Sequence, residues 1–165
     1  DEKVDRETMR EIVDIARWAP SWVNYQIARY TLVDDEEIIK EIAEHGVNGF
    51  VYNIDTLRTA KGVAVLSFVK GKSGTYDKEY ITSKGNSWEV FDAGIACQTF
   101  CLAAHAKGVG TCIMGVIDDK SIAKIVNLPE DETVAALIVY GYEDGEHAAP
   151  NKRKDVDEIM RFVDR

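Results

Sequence analysis

The stretch FDAGIACQTFCLAAHAKGVGTCIMG, residues 91–115, decides the fold of this 165-residue chain. It holds most of a long helix that we predict over residues 87–107, where 13 of the 21 residues are apolar and lie on every side. Such a helix is expected to be central and buried. Gly108 ends it, because glycine readily adopts the left-handed backbone that closes a helix. Residues 110–114 follow as a predicted strand.

Shorter elements extend from this stretch in both directions. Towards the N-terminus, the hydrophobic pattern predicts helices over residues 5–18, 34–44 and 47–59 and strands over residues 30–33 and 63–69. Towards the C-terminus, it predicts a short helix capped by Asp118 or Asp119, a strand over residues 134–142 and a last helix that ends near Phe162. This order indicates an α+β fold, with a small sheet packed on helices in one domain that spans residues 1–165.

Charge and composition exclude several classes of protein. The net charge of -9 repels a phosphate backbone, so we expect no nucleic-acid partner. The apolar segment over residues 90–106 is interrupted by polar and charged side chains, so we expect no membrane span. Cys97, Cys101 and Cys112 show no C-x-x-C spacing and no His or acid at matching intervals, which predicts no metal site. With no signal peptide, this cysteine usage indicates a reduced, cytoplasmic protein.

A polar turn between the first helix and the first strand is one candidate binding site. Ser21, Asn24 and Gln26 place a hydroxyl and two amides within six residues, and these groups both donate and accept hydrogen bonds. They match a ligand ring whose edge carries donors and acceptors. The alternative is a connection whose polar side chains bond only to their own backbone.

Two further segments have features of ligand binding. Lys152, Arg153 and Lys154 precede a predicted helix, a favourable place for a phosphate, although a solvated run of charge is the alternative. The long polar loop over residues 71–86 contains Tyr76 and Tyr80, which could stack on a flat molecule, and three glycines that could act as hinges. We expect this loop to border a substrate pocket and to be more mobile than the core.

Three segments together resemble the nitroreductase family. Residues 16–21, ARWAPS, continue to Asn24-Tyr25-Gln26 and are similar to the signature A-x-x-A-P-S-x-x-N-x-Q. Residues 91–115 resemble the family's central helix and the strand after it, and residues 128–142, LPEDETVAALIVYGY, resemble its last core strand. The order and spacing of all three segments fit, so the resemblance covers most of the chain.

The resemblance implies an intertwined homodimer, with a small, mostly antiparallel sheet between helices and FMN held between the subunits. Ser21, Asn24 and Gln26 would contact the flavin, and the backbone near Met114 and Gly115 would approach its ring. The phosphate would be bound by Lys152 and Arg153. A stripe of small residues on the central helix would allow a close helix pair across the dimer; it comprises Ala93, Cys97, Cys101 and Ala104.

The implied activity is the transfer of two electrons from NADH or NADPH, through FMN, to a small-molecule acceptor such as a nitroaromatic or a quinone. The flavin carries this chemistry, so we assign no catalytic side chain.

The sequence departs from the family pattern at two places. The family's arginine-rich R-R-S-x-R segment does not occur after Asp1, so either it lies upstream or phosphate binding is weaker. Ile27-Ala28 replaces the usual Pro-Trp. The alternative is a non-catalytic flavin-binding or interaction module with the same fold.

Overall fold

A central antiparallel sheet organises the molecule in the computed structural model, which describes residues 2–143, 145 and 149–163. In chain order, the elements are α1 (Arg6–Ala16), β1 (Ala28–Val33), α2 (Glu36–His45), α3 (Val51–Thr59), β2 (Gly62–Val69), β3 (Thr75–Tyr76), β4 (Glu79–Tyr80), α4 (Ser87–Ala106), β5 (Gly110–Met114), α5 (Asp119–Ile125), β6 (Glu132–Gly141) and α6 (Val156–Ile159). The sheet has the order β1-β2-β6-β5, and each neighbouring pair is antiparallel. The predicted α+β fold is confirmed.

Helices cover both faces of this sheet. Successive residues of a strand point to opposite faces. In β2, Ala64 and Leu66 therefore join a buried cluster with α1 and α4, whereas Val63 and Val65 join a second cluster with α2, α3 and α5. The continuous burial of β2 follows from this three-layer arrangement.

Aspartates at helix starts explain why the predicted helices begin where they do. Asp5, Asp35 and Asp118 each occupy an N-cap and accept backbone hydrogen bonds from the first turn of α1, α2 and α5. Because Asp35 is the cap, Asp34 is available to bind Arg6 through two hydrogen bonds of 2.7 and 2.8 Å. The Arg6 guanidinium lowers the pKa of Asp34 and joins α1 to the end of β1.

The central helix α4 differs from the prediction, because only one side of it is buried. The small-residue stripe faces the interior of its own subunit, where Cys97 and Ala104 share a cluster with Met9 and Ile12 of α1. The expectation that this stripe pairs with a partner helix is therefore wrong: its small side chains let α1 approach α4. The outer side of α4 exposes Val90, Phe91, Gly94, Gln98 and Leu102, which we call the outer α4 face.

Two segments also depart from their predicted form. Residues 71–86 contain the short hairpin β3–β4 instead of an unstructured loop. The last helix is limited to four residues in α6, and residues 149–163 are exposed throughout. A short helix without packing is only marginally stable, which accounts for this difference. Among the described residues, no helix has the length and apolar character needed to cross a bilayer.

Candidate functional site

One end of the sheet brings together two of the predicted site segments. The turn at residues 21–26 leads into β1, and the loop at residues 71–86 follows β2. Ala28 of β1 pairs with Phe68 near the end of β2, so both segments lie at the same end. β5 runs in the same direction as β2 on the far side of β6, but Met114 pairs with Leu137, which is level with Val65 in the middle of β2. Met114 and Gly115 therefore lie at the opposite edge strand, at mid-sheet.

The backbone of the turn is strained. Val23, Asn24 and Gln26 have φ values of 46°, 55° and 51°, in the left-handed region that favours glycine. For a β-branched residue such as Val23, this conformation is unusual and costs about 1–3 kcal/mol. Strain of this kind collects at functional sites, where the surrounding structure maintains it.

A side-chain hydrogen bond closes the turn on itself, in addition to backbone bonds from Asn24 N–H to the Ser21 carbonyl and from Tyr25 N–H to the Trp22 carbonyl. The Ser21 hydroxyl oxygen accepts from the Gln26 backbone N–H at 2.8 Å. This contact matches the alternative in which a polar side chain bonds to its own backbone. The Gln26 side chain makes only a long contact, of 3.4 Å, with the Asn24 carbonyl oxygen. Ser21 therefore shapes the turn. The Asn24 and Gln26 side chains are exposed, and few contacts within the turn fix the orientation of their amides.

A cavity of about 280 Å³ lies beside the turn. Ser21 and Gln26 line it, whereas Asn24 is not among its lining residues. Three charged side chains also line it: Arg17, Arg29 and Asp92. The Arg29 Nη1 group donates to the carbonyl oxygens of Gln26 and Ala28 at 2.7 and 2.8 Å, which fixes the guanidinium against the end of the turn. The cavity thus combines amide, hydroxyl, cationic and anionic groups.

Two buried carboxylates on α4 hold the loop in place. Asp92 is 3% exposed and accepts hydrogen bonds from the Ser73 hydroxyl and the Trp22 backbone N–H. Glu89 is 5% exposed and accepts from the Gly71 backbone N–H at 2.5 Å and the Tyr80 hydroxyl at 3.0 Å. A buried charge is costly unless it is hydrogen-bonded, so these contacts fix the start of the loop on α4.

The two loop tyrosines have different environments. Tyr80 is held through its hydroxyl, and burial together with the Glu89 carboxylate raises its pKa, which keeps this donor protonated. Tyr76 is exposed and free to contact a molecule outside the subunit core. Gly74 has a φ of 85°, and a Cβ there would lie 2.8 Å from the Gly85 carbonyl oxygen, so this glycine permits close packing. The structure therefore places the expected hinge at Gly74 in a packed segment.

The predicted phosphate ligands do not line the cavity beside the turn within one subunit. β6 ends at Gly141, which pairs with Gly110 at the end of the sheet opposite the turn, and the C-terminal segment continues from there. Lys152 and Arg153 are exposed and do not line the cavity beside Ser21. Met114 is buried in the core, whereas the neighbouring Gly115 is exposed. The cavity beside the turn therefore lacks these groups within one subunit.

The residues that the sequence analysis missed are those that hold the turn from a distance. Asp92 and Ser73 contact the turn or each other across 70 and 19 positions of the sequence. One signal was available for Asp92, because an acid within an otherwise apolar helix must find partners when it is buried. Nothing in the sequence identified those partners. Among the described residues, no group of three or more His, Cys, Asp or Glu side chains is placed to hold a metal ion.

Comparison with known proteins identifies the family. A sequence model of the nitroreductase family matches residues 1–142. The chain belongs to the nitroreductase family. The matched range contains the strained turn, the loop and the central helix, whereas Lys152 and Arg153 lie beyond it.

Individual nitroreductase-family proteins agree with this assignment. The chain is 24% identical to a candidate NAD(P)H nitroreductase, MhqN of Bacillus subtilis strain 168, over 97% of this chain and 89% of that protein. The solved structure of a nitroreductase family protein from Streptococcus pneumoniae TIGR4 superposes with a TM-score of 0.83 at 21% identity, covering 99% and 92% of the two chains. An FMN-dependent nitroreductase from Clostridium difficile R20291 gives a TM-score of 0.76 at 26% identity, covering 98% and 90%.

Proposed function

We propose that the protein is an FMN-dependent oxidoreductase that takes electrons from NADH or NADPH and passes them to a small, flat, electron-poor acceptor. The observation that carries this proposal is the strained turn beside the 280 Å³ cavity, because it contains the family signature residues Ser21, Asn24 and Gln26. The neighbours described as an NAD(P)H nitroreductase and an FMN-dependent nitroreductase support the same chemistry.

The polar groups of the turn fit the edge of a flavin ring. The amides of Asn24 and Gln26 offer donors and acceptors on a backbone whose strain is maintained from outside. Backbone groups near Met114 and Gly115 would contact the ring, and Lys152 and Arg153 would bind the phosphate. FMN supplies hydride and electron transfer when bound. The protein's own groups bind it, orient it and exclude water.

A second copy of the chain completes this site in our proposal. β6 ends at Gly141, at the end of the sheet opposite the turn, and neither Lys152 nor Arg153 lines the cavity of its own subunit. This supports a site that is completed across a homodimer. The outer α4 face exposes Phe91 and Leu102 by 57% and 59%, and the C-terminal segment exposes Ile159 and Phe162. Apolar surface of this extent in one molecule is typical of an interface.

Compartment and acceptor follow from other features. Cys97, Cys101 and Cys112 are free thiols, which supports a reducing compartment such as the cytoplasm. The acceptor needs only to stack on the ring, and the exposed Tyr76 offers a further aromatic surface. Nitroaromatics and quinones have the required flat, electron-poor form.

The test is reconstitution followed by turnover. The chain is purified, incubated with FMN and freed of excess ligand, and its flavin absorbance is recorded. We expect a yellow protein that oxidises NADH or NADPH when menadione or nitrofurazone is added, in proportion to bound FMN. A protein that binds FMN but does not oxidise either nucleotide would instead support the non-catalytic flavin-binding module. Failure to bind FMN would contradict the proposed enzyme and favour the interaction module.

A further inference from the structure

Three segments distant in sequence meet at one carboxylate. Asp92 of α4 accepts a hydrogen bond of 2.9 Å from the Trp22 backbone N–H, which lies within the strained turn. The same oxygen atom, Oδ2, accepts a bond of 2.5 Å from the hydroxyl of Ser73, which is fully buried in the loop. Asp92 thus contacts the turn and the loop at once.

A second set of contacts involves Trp22 itself. Its indole Nε1 donates to the Thr75 carbonyl oxygen at 3.1 Å, and its ring lies 5.0 Å from the ring of Trp88 on α4. Trp22 is therefore bound to the loop by its side chain while its backbone is bound to Asp92. The position of the turn therefore depends on the loop and on α4, because Trp22 lies between them and contacts both.

We infer that Asp92 is a positioning residue that joins the 71–86 loop to the turn, so that the seating of the loop sets the geometry of the turn. The consequence for flavin affinity rests on the proposed function, because it assumes that Asn24 and Gln26 contact FMN. The link between loop and turn does not depend on that assumption.

The physical reason is the combination of strain and burial. A turn with left-handed Val23, Asn24 and Gln26 needs outside restraint to persist. Asp92 is 3% exposed, so its charge requires both donors. Without the Ser73 hydroxyl, the Asp92 carboxylate lacks one of its two donors and no longer holds the Trp22 backbone N–H in the same position. Displacing the loop therefore relaxes the turn, whereas a loop bound to Asp92 keeps the amides of the turn in place.

The experiment compares two alanine variants of the same loop. Ser73→Ala removes the hydroxyl that binds Asp92, whereas Ser83→Ala removes an exposed hydroxyl from the other end of the loop. Hydrogen–deuterium exchange is measured on the flavin-free full chain, and the FMN dissociation constant is measured by fluorescence quenching. We expect Ser73→Ala to speed exchange of the 21–26 amides by roughly tenfold and to weaken FMN binding by roughly three- to tenfold. Ser83→Ala should change neither.

Exchange in β6 separates a positioning role from general destabilisation. In Ser73→Ala, the β6 amides should exchange at the parent rate, since the sheet does not depend on this contact. Asp92→Asn, which keeps the shape and removes the charge, should loosen the same turn as Ser73→Ala does.

Unchanged exchange of the 21–26 amides in Ser73→Ala and Asp92→Asn would overturn the inference, whatever happens to FMN binding. Faster exchange of the whole sheet to the same extent as the turn would overturn it as well. If the turn loosens but no variant, including the parent, binds FMN, the link between loop and turn stands and the proposed function fails.

Discussion

At the scale of single residues, alanine variants of two asparagines distinguish a loss of ligand binding from an effect of backbone strain. Asn24 and Asn127 both have left-handed backbones, with φ values of 55° and 53°, and both side chains are exposed. Replacing either by alanine strains the backbone equally. If Asn24 binds the flavin edge, only Asn24→Ala should weaken FMN binding, by about 1–3 kcal/mol. Fluorescence titration of both variants measures this, and equal affinities would return the turn to a structural role.

The basic segment allows a second test at this scale, because riboflavin lacks the phosphate of FMN. Each charge-assisted bond to phosphate contributes about 1.5–3 kcal/mol, so Arg153→Ala should weaken FMN roughly ten- to a hundredfold and leave riboflavin unchanged. Lys154→Ala is the control and should matter less, because a guanidinium binds two phosphate oxygens at once.

Titrating FMN and riboflavin into both variants and the parent gives the comparison directly. An equal loss for riboflavin would show that Arg153 supports the fold instead. No loss for FMN would place the phosphate on other residues.

At the scale of elements, the close contact between β2 and β6 is open to a sharp test. A Cβ on Gly62 would lie 2.2 Å from the ring of Tyr140, its pairing partner, which is buried. Gly62→Ala should therefore lower the free energy of unfolding by about 1–3 kcal/mol through overpacking. Gly141 is next to Tyr140 but has open space at its Cβ position, so Gly141→Ala should have little effect. Urea unfolding of both variants checks this, and equal losses would contradict it.

The sequence predicted elements best where local chemistry decides them. Asp5 and Asp118 cap helices through contacts within three residues, and Gly108 has the left-handed φ of 74° expected at a helix end. The partners of Asp92 lie 19 and 70 residues away, and no local pattern could identify them. Likewise, apolar residues on all sides of α4 show that every side needs cover, but not which side is covered by the same chain.

At the scale of the whole molecule, the exposed apolar residues of the outer α4 face predict that the chain forms a homodimer. Leu102→Glu would place a charge on the outer α4 face, within the proposed interface, and should convert a dimer into monomers at micromolar concentration. Val51→Glu makes the same change at an equally exposed position on α3, which covers the opposite face of the sheet, and should remain dimeric. Sedimentation velocity distinguishes the two. A parent protein that sediments as a stable monomer would contradict both the interface and a shared flavin site.

The absence of Lys152 and Arg153 from the cavity of their own subunit has a genetic consequence. If each site combines the turn of one subunit with Lys152 and Arg153 of the other, two defective alleles should rescue each other. Asn24→Ala and Arg153→Ala homodimers would each carry two impaired sites. In a mixed dimer, one site would inherit both lesions and the other neither. Co-expression should then restore up to half of the parental activity per mixed dimer, which a site confined to one subunit could never do.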